Sequence, residues 1–320
     1  MLRLKQLRDI YGSWALVAGA SEGLGLAFAE QLAAAGFNLV LVARREALLR
    51  GAARSLSQRY DIETRAVVID LAASDATEAI ASRCADIDLG LLVYNAAYAP
   101  RGPLEQLEGK QLEQVVSVNV LGPLRLVRRL LPGLRRRVET EAMPAPAGVG
   151  PGGAADGGGG AESGAGRHGA RRAGIILMSS LAGNQGSPGL AAYAASKAFN
   201  TILAESLWHE LRPMGIDVLG CIAGAVRTPG LKGAVAAGSG REAPGTLDAD
   251  AVVRSALTRL GGGPVVVPGL INKLARFSMG RLFPKRAAIG IMAASTRGLG
   301  GVARRKPGSG PEPHRNGDES

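Results

Sequence analysis

Tyr193 and Lys197 are the residues of this sequence whose types and spacing most directly suggest chemistry. They lie in the stretch AAYAASKAF, among alanines and one serine. Residues four apart on a helix share a face, so the phenol and the ammonium would lie side by side. A cation within about 4–6 Å favours the phenolate, which would make the hydroxyl unusually acidic. The alternative is an alanine-rich surface helix in which the pair is incidental, because this spacing is common by chance.

The elements that would position this pair alternate along the chain as strands and helices. Continuous Val, Ile and Leu strands between helices are typical of a parallel sheet covered on both faces. We therefore predict an α/β fold, a Rossmann-like doubly wound parallel sheet of about seven strands with helices on both faces. The segments with strand character are WALVAGA, FNLVLVARR, TRAVVIDL, LGLLVYNAA, AGIILMSS, IDVLGCIAG and GPVVVPG.

A single domain is expected over residues 8–296. The Gly-, Ala- and Pro-rich segment at about 140–172 has no periodicity and few large apolar residues, so it favours a flexible insertion. A linker between two domains is the alternative, which we disfavour because the sheet pattern resumes directly afterwards. Residues 297–320 are expected to form a disordered tail.

The charge of the chain is strongly basic, with a formal net charge of +11. Between Asp250 and Glu312 the sequence has eleven Lys or Arg residues and no acidic residue. Such a balance suits nucleic acid, anionic lipid, or an anionic substrate or cofactor. Nucleic acid is not expected as a partner, since no helix-turn-helix, zinc finger or RNP-type motif occurs.

The cysteines, histidines and apolar segments indicate which bound groups and which cellular location to expect. The two cysteines and three histidines are scattered, so neither a disulfide framework nor a bound metal is expected. The N-terminal residues lack the apolar region of a signal peptide, and no apolar run is long enough for a membrane-spanning helix. We expect a cytoplasmic location, with membrane association left open.

A glycine-rich turn, GASEGLG, joins the first predicted strand to the first helix. Gly19, Gly23 and Gly25 would allow a tight turn and let the backbone approach a pyrophosphate at the helix N-terminus. Ser21 and Leu24 lie in the same turn. The position of the turn at the end of the first strand favours a dinucleotide site over an ordinary connection.

The end of the second strand, VARRE, indicates which cofactor is preferred. NAD enzymes usually place a carboxylate there to bind the ribose 2′-hydroxyl, whereas this chain has Arg44 and Arg45. Guanidinium groups pair with a 2′-phosphate, so NADP(H) is favoured over NAD(H). The alternative is a solvated charge pair at a helix start. Asp70, followed by Leu71, closes the third strand and would either bind the adenine amino group or cap the next helix.

Together these motifs resemble the short-chain dehydrogenase/reductase family over roughly residues 10–270. The glycine pattern T-G-x-x-x-G-x-G matches the chain from Ala18 to Gly25, with Ala18 in place of Thr. The N-N-A-G motif matches YNAA, which keeps Asn95 but has Tyr94 and Ala97 at substituted positions.

Three further motifs of the family follow in the expected order. The active-site asparagine corresponds to Asn119 in SVNVLG, and the serine corresponds to Ser180 in MSSLAG. The P-G-x-x-x-T motif matches AGAVRT, with Ala223 for Pro but Gly224 and Thr228 kept. Tyr193 and Lys197 then correspond to the family's tyrosine and lysine.

The resemblance implies an NADPH-dependent reduction of a ketone or aldehyde, or the reverse oxidation of an alcohol. Tyr193 would be the general acid, with its pKa lowered by Lys197, while Ser180 would orient the carbonyl oxygen. Asn119 would kink its helix and hold a proton-relaying water. The implied cofactor contacts are Gly19, Ser21, Gly23, Leu24, Gly25, Arg44, Arg45, Asp70, Leu71, Asn95, Tyr193, Lys197, Gly224 and Thr228.

The C-terminal segment GLINKLARFSMGRLFPKRAAIGIMAAS carries the remaining functional signal. Leu270, Leu274 and Phe277 have helical spacing and are interrupted by basic residues. The segment would pack over the active site or in a dimer interface, or lie as a basic amphipathic segment on an anionic membrane. A similar tail in steroid and very-long-chain 3-oxoacyl reductases points to a lipophilic substrate.

Two functions of other classes remain open beside the reductase. One is a regulatory protein that binds NADP(H) without turnover, and the other is a peripheral membrane adaptor. The family resemblance further implies a homodimer or homotetramer.

Overall fold

The computed structural model describes residues 6–139, 171–228 and 243–297. Nearly all of the predicted flexible insertion (residues 140–170) and of the predicted tail (residues 298–320) lies outside the described residues. No helix in the described ranges is long and apolar enough to cross a membrane.

Seven parallel strands form one central sheet within the described ranges, in the order β3-β2-β1-β4-β5-β6-β9. This arrangement confirms the predicted doubly wound parallel sheet. Two further short strands, β7 (Val226–Arg227) and β8 (Leu247–Asp248), pair with each other. The strands of the central sheet are β1 (Trp14–Ala18), β2 (Asn38–Ala43), β3 (Thr64–Val68), β4 (Leu89–Tyr94), β5 (Ala173–Ser180), β6 (Ile216–Ala223) and β9 (Val265–Val266).

Helices cover both faces of the sheet, because side chains alternate along each strand and both faces are apolar. In β1, Ala15 and Val17 join one core cluster, whereas Leu16 and Ala18 join the other. The helices are α1 (Leu7–Tyr11), α2 (Gly23–Ala34), α3 (Glu46–Tyr60), α4 (Ala76–Ser82), α5 (Gly109–Val116), α6 (Gly122–Glu139), α7 (Ala191–Leu211), α8 (Ala249–Arg259), α9 (Leu270–Phe277) and α10 (Lys285–Arg297).

Two π-helical turns interrupt the helical segments. Ser117–Leu121 joins α5 to α6, and Ser278–Leu282 follows α9. Single π turns inside helices are rare and frequently occur at functional sites.

A buried polar network closes the edge of the sheet at which the strands begin. The Tyr11 hydroxyl donates to the Asp217 carboxylate at 2.8 Å, and Arg172 donates two bonds to the same carboxylate at 2.6 and 2.7 Å. Arg137, near the end of α6, pairs with Asp88 and donates to the Arg172 carbonyl at 3.3 Å. The segments that border residues 140–170 are therefore tied to this edge.

Candidate active site

A cleft of about 670 Å³ lies along the opposite edge, where the parallel strands end. The strand order reverses there between β1 and β4, and such switch points are where ligands bind in open α/β sheets. The predicted residues that line it are Gly19, Ser21, Gly23, Leu24, Arg44, Arg45, Asp70, Leu71, Asn95, Ser180, Tyr193, Lys197, Gly224 and Thr228. Gly25 and Asn119 do not line the cleft and act from behind its wall.

The glycine turn between β1 and α2 is built so that backbone can approach a ligand closely. Gly19 and Gly23 have φ values of +84° and +58°, which side chains rarely adopt. A Cβ on Gly25 would lie 1.8 Å from the Gly19 carbonyl oxygen, so only glycine fits where α2 meets the turn. A Cβ on Gly23 would lie 3.1 Å from Thr228, on the far side of the cleft.

Asn95 supports this turn instead of pointing freely into the cleft. Its side-chain amide donates to the Gly19 carbonyl at 3.0 Å. The backbone N–H groups of Asn95 and Ala96 both donate to the Ala18 carbonyl, at 3.0 and 2.9 Å. Main-chain bonds therefore join β1 to β4 at the position where Ala18 replaces the hydroxyl residue of the family pattern.

Arg44 and Arg45 form the basic rim of the cleft at the end of β2. Arg45 donates to the Ser21 hydroxyl at 3.1 Å and pairs with Glu22 at 2.8 Å. Arg44 lies 3.6 Å from Asp70, and about half of each arginine side chain is exposed. The Asp70 carboxylate accepts from the Ala72 N–H at 3.0 Å, so it caps the turn after β3.

Ser180, Tyr193 and Lys197 come together where β5 and α7 border the cleft. The Lys197 ammonium lies 5.6 Å from the centre of the Tyr193 ring and donates to the Met178 carbonyl at 2.9 Å. Ser180 hydrogen-bonds with Tyr193. Ser179, whose hydroxyl donates to the Lys197 carbonyl at 2.7 Å, secures α7 to β5.

The pKa of Tyr193 differs from the expectation. Burial raises the pKa above its ordinary value, although the hydrogen bond with Ser180 and the charge of Arg101 act in the opposite direction. Burial also lowers the pKa of the Lys197 ammonium, to about 8. The phenol therefore holds its proton at neutral pH, as a proton donor must.

Asn119 lies in the π turn Ser117–Leu121 and is fully buried. Its amide donates to the Tyr98 carbonyl and to the Ser196 hydroxyl, each at 2.9 Å, and it accepts from the Tyr98 N–H at 2.8 Å. The side chain thus holds the loop after β4 against α7. That Asn119 also holds a proton-relaying water stays a prediction.

Tyr94, which replaces an asparagine of the family pattern, contacts the same turn. The turn's i→i+5 bond joins the Gly122 N–H to the Ser117 carbonyl, so the Val118 carbonyl has no α-helical partner at Gly122. The Tyr94 hydroxyl donates to that carbonyl at 2.5 Å. A Cβ on Gly122 would lie 2.0 Å from the Tyr94 oxygen, so the glycine makes room for the phenol.

Sequence reasoning missed several residues that line the cleft. Arg101 and Tyr98 belong to the loop after β4, and Glu22 lies within the glycine turn. Their position directly after a strand that ends at the cleft was the available signal, since loops at this edge of a parallel sheet build the site.

The residues present fit a pyridine dinucleotide. The glycine turn offers backbone at the N-terminus of α2, and no Cβ could be accommodated at Gly25. Two guanidinium groups and the Ser21 hydroxyl lie at the rim, where a phosphate would be held. Thr228 faces Gly23 across the cleft, and Gly224 follows Ala223, the residue of β6 that is paired with Ser180.

Two curated relatives of this chain are named as a reductase and a dehydrogenase. A curated very-long-chain 3-oxoacyl-CoA reductase of Podospora anserina is 34% identical over 65% of this chain and 53% of its own length. A 7beta-hydroxysteroid dehydrogenase of Collinsella aerofaciens is 29% identical over 83% of this chain and 90% of its own length. The chain spans about half the length of the fungal reductases that it matches.

Solved structures show the same fold. One described in a study of 7beta-hydroxysteroid dehydrogenase stereoselectivity has a TM-score of 0.73 and 26% identity, covering 89% of this chain and 98% of its own. A short-chain dehydrogenase from Sphingobium yanoikuyae in complex with NADPH has a TM-score of 0.65 and 24% identity, covering 91% and 99%. A family model described as short chain dehydrogenase matches residues 13–141 and 167–237, more than half of the chain. The chain therefore belongs to the short chain dehydrogenase family, as its motifs indicated.

Proposed function

We propose that the protein is an NADPH-dependent oxidoreductase that reduces a ketone or aldehyde, or oxidises the corresponding alcohol. One observation carries this proposal: Ser180, Tyr193 and Lys197 border the same cleft as the glycine turn and the arginine rim. The curated relatives are named as a reductase and a dehydrogenase, which supports the same reaction class.

Tyr193 is the proposed proton donor. It retains its proton because burial raises the pKa of its phenol, and Ser180 is the side chain that interacts with that phenol. A positioned acid typically contributes about 10²–10⁴-fold to the rate. Ser180 would donate a second hydrogen bond to the carbonyl oxygen of the substrate. The nicotinamide cofactor, when bound, supplies the hydride.

Lys197 is proposed to hold cofactor hydroxyls and to return the proton to Tyr193. Its ammonium lies near the Tyr193 ring, and burial lowers its pKa to about 8. A lysine with that pKa exchanges protons close to neutral pH, unlike an exposed lysine.

The preference for NADP(H) over NAD(H) rests on Arg44, Arg45 and Ser21. Arg45 donates to Ser21 and is paired with Glu22, while Arg44 lies beside Asp70. A bound 2′-phosphate would compete with Glu22 for that guanidinium. Arginine binds phosphate in bidentate fashion, which supports the assignment.

We propose a lipophilic substrate with an acyl chain or a steroid-like ring. The lining of the cleft includes apolar side chains such as Ala99, Val118 and Met178 beside its polar groups. The relatives named for very-long-chain 3-oxoacyl-CoA and for a hydroxysteroid support this class.

The domain extent, location and oligomeric state of the protein are also proposals. We infer one catalytic domain over residues 8–296, a cytoplasmic location and a homodimer or homotetramer, with the basic C-terminal segment as the surface for peripheral membrane contact. A regulatory protein that binds NADP(H) without turnover is the second candidate function, and a peripheral membrane adaptor is the third. The hydrogen-bonded Tyr193 and Ser180 favour the enzyme, since binding alone needs no proton donor.

The deciding experiment titrates purified protein with NADPH and with NADH by cofactor fluorescence. Consumption of the cofactor is then followed with aliphatic, aromatic, 3-oxoacyl and steroid ketones. Tyr193→Phe should retain NADPH binding and lose at least 10²-fold in rate. Tyr60→Phe makes the same chemical change on α3, outside the cleft, and should turn over like the wild type.

Each outcome decides between the candidates. Turnover with NADPH, lost only in Tyr193→Phe, supports the reductase, and the best ketone sets the substrate class. Tight NADPH binding without turnover on any ketone favours the regulatory protein. Absence of binding to either cofactor would refute the site itself.

A further inference from the structure

The C-terminal helical unit (residues 270–297: α9, the π turn and α10) presents its apolar residues to solvent. Leu270 is 72% exposed and Phe277 54% exposed, and Ile271 and Leu274 are exposed to a similar extent. These four residues, the docking face, occupy positions i, i+1, i+4 and i+7 of α9 and therefore form one stripe. Leu282 and Phe283 are exposed just beyond it.

The one buried residue of α9 is polar, which inverts the usual pattern of a surface helix. Asn272 is 3% exposed and donates to the carbonyls of Gly245 and Pro268 at 3.1 and 2.9 Å. Hydrogen bonds thus hold α9 in this orientation, so the docking face points outward as a consequence of the fold. Contiguous exposed apolar surface of this kind marks an interaction site.

The charges that the helical unit itself carries are all of one sign, and the neighbouring Glu205 of α7 lies 4.0 Å from Arg276. Between residues 251 and 297 the sequence has no Asp or Glu, and the helical unit carries Lys273, Arg276, Arg281, Lys285, Arg286 and Arg297. An apolar stripe flanked by Lys and Arg fits the interface of an anionic bilayer, where apolar side chains enter the acyl boundary and cations meet headgroups. Two copies placed face to face would instead bring like charges together.

The inner side of the unit lies against the loop that follows Ser180. The Gln185 amide reaches the Met279 sulfur at 3.6 Å, and a Cβ on Gly186 would contact Ile289 at 3.4 Å. A surface bound at the docking face would therefore sit beside the wall of the cleft.

We propose that the docking face binds the surface of anionic membranes, with the cleft held next to the bilayer. The inference does not depend on the reaction, because it rests on the exposed docking face, the buried Asn272 and the basic charge of the helical unit. It extends the proposed function by making the bilayer the source of a lipophilic substrate.

The test is flotation of the full chain with phosphatidylcholine vesicles, with and without phosphatidylglycerol. We expect binding only to the vesicles with phosphatidylglycerol, weakened by salt. The double variant Leu274→Asp/Phe277→Asp should abolish it. Lys285→Gln/Arg286→Gln should weaken it about 30-fold, about fivefold for each basic residue. Leu48→Asp, an exposed leucine on α3, is the matched control and should bind normally.

Circular dichroism and NADPH binding establish that each variant is folded. Folded wild-type protein that floats with neither vesicle type overturns the proposal, as does binding that survives Leu274→Asp/Phe277→Asp. Concentration-dependent dimers that this variant abolishes, without vesicle binding, would assign the face to a second copy instead. Equal binding to both vesicle types would refute the role of charge.

Discussion

Replacing the buried Lys197 with methionine tests how the site is held together. The ammonium is 3% exposed, and its burial lowers the pKa from 10.5 to about 8. Each tenfold change in proton affinity corresponds to about 1.4 kcal/mol, so burying the charge costs about 3 kcal/mol. The bond to the Met178 carbonyl returns part of that, about 1.5–3 kcal/mol for a charged donor. Lys197→Met should therefore be inactive, yet at least as stable as the wild type at pH 7.

The pH dependence of the free energy of unfolding gives this prediction a quantitative test. The pKa of Lys197 in the folded protein lies below that in the unfolded chain. The cost of burying its charge is therefore fully present below pH 8 and disappears as the pH rises towards 10.5. Folding releases a proton in that window, which stabilises the wild type by about 1.4 kcal/mol per pH unit. Between pH 7 and about pH 9.5 the wild type should gain about 2 kcal/mol relative to Lys197→Met.

Urea unfolding of both proteins across this pH range measures the difference. Lys110→Met changes an exposed lysine of α5 and keeps Lys197, so its stability should follow that of the wild type across this pH range. A difference between wild type and Lys197→Met that stays constant from pH 7 to 9.5 would refute the argument from burial. A difference between wild type and Lys110→Met that grows with pH in the same way would show that the effect is not specific to the site.

Three other results are expected. Gly25→Ala should weaken NADPH binding more than tenfold in fluorescence titrations, because its Cβ would collide with the glycine turn. A Cβ on Gly51 in α3 would meet nothing within 4 Å, so Gly51→Ala is the control and should bind NADPH normally. Tyr94→Phe should lower the free energy of unfolding by about 1–3 kcal/mol in urea, since the Val118 carbonyl of the π turn loses its donor; unchanged stability would show that this bond is dispensable. Replacing residues 143–168 with a short Gly/Ser linker should leave kcat within about twofold of the wild-type value in steady-state assays. The reason is that both flanking segments are tied to the edge of the sheet opposite the cleft. A larger loss of kcat would show that residues 143–168 contribute to the reaction.

The sheet and much of the cleft could be predicted because they follow from local patterns. Uninterrupted apolar strands, a glycine turn after the first strand and the spacing of Tyr193 from Lys197 are all visible in the sequence. Strand ends in a parallel sheet meet at one edge, so residues placed after separate strands were expected to converge. Arg44 was found in this way, whereas Ser180 was assigned from the family motif.

The electrostatics of the site could not be predicted, because they depend on burial. Spacing alone suggested that Lys197 would acidify Tyr193, whereas the structure buries both groups and raises the pKa of the phenol. The π turn was also hidden, since only the packing of Tyr94 against Gly122 shows why Asn119 faces the Tyr98 loop. The inward side chain of Asn272 is likewise a tertiary effect that reverses the expected face of α9.

The short helix α1 has a consequence for where the folded unit begins. Leu7 and Tyr11 are almost fully buried, yet both precede residue 13, at which the family match starts. A truncation to that match would expose the Leu7 and Tyr11 sites and leave Asp217 without the phenol that donates to it. Burial of two such side chains stabilises a protein by about 3–6 kcal/mol, which is comparable to the whole stability of many domains. Expression boundaries drawn from homology alone would therefore yield an unstable protein, and tags belong upstream of Leu7.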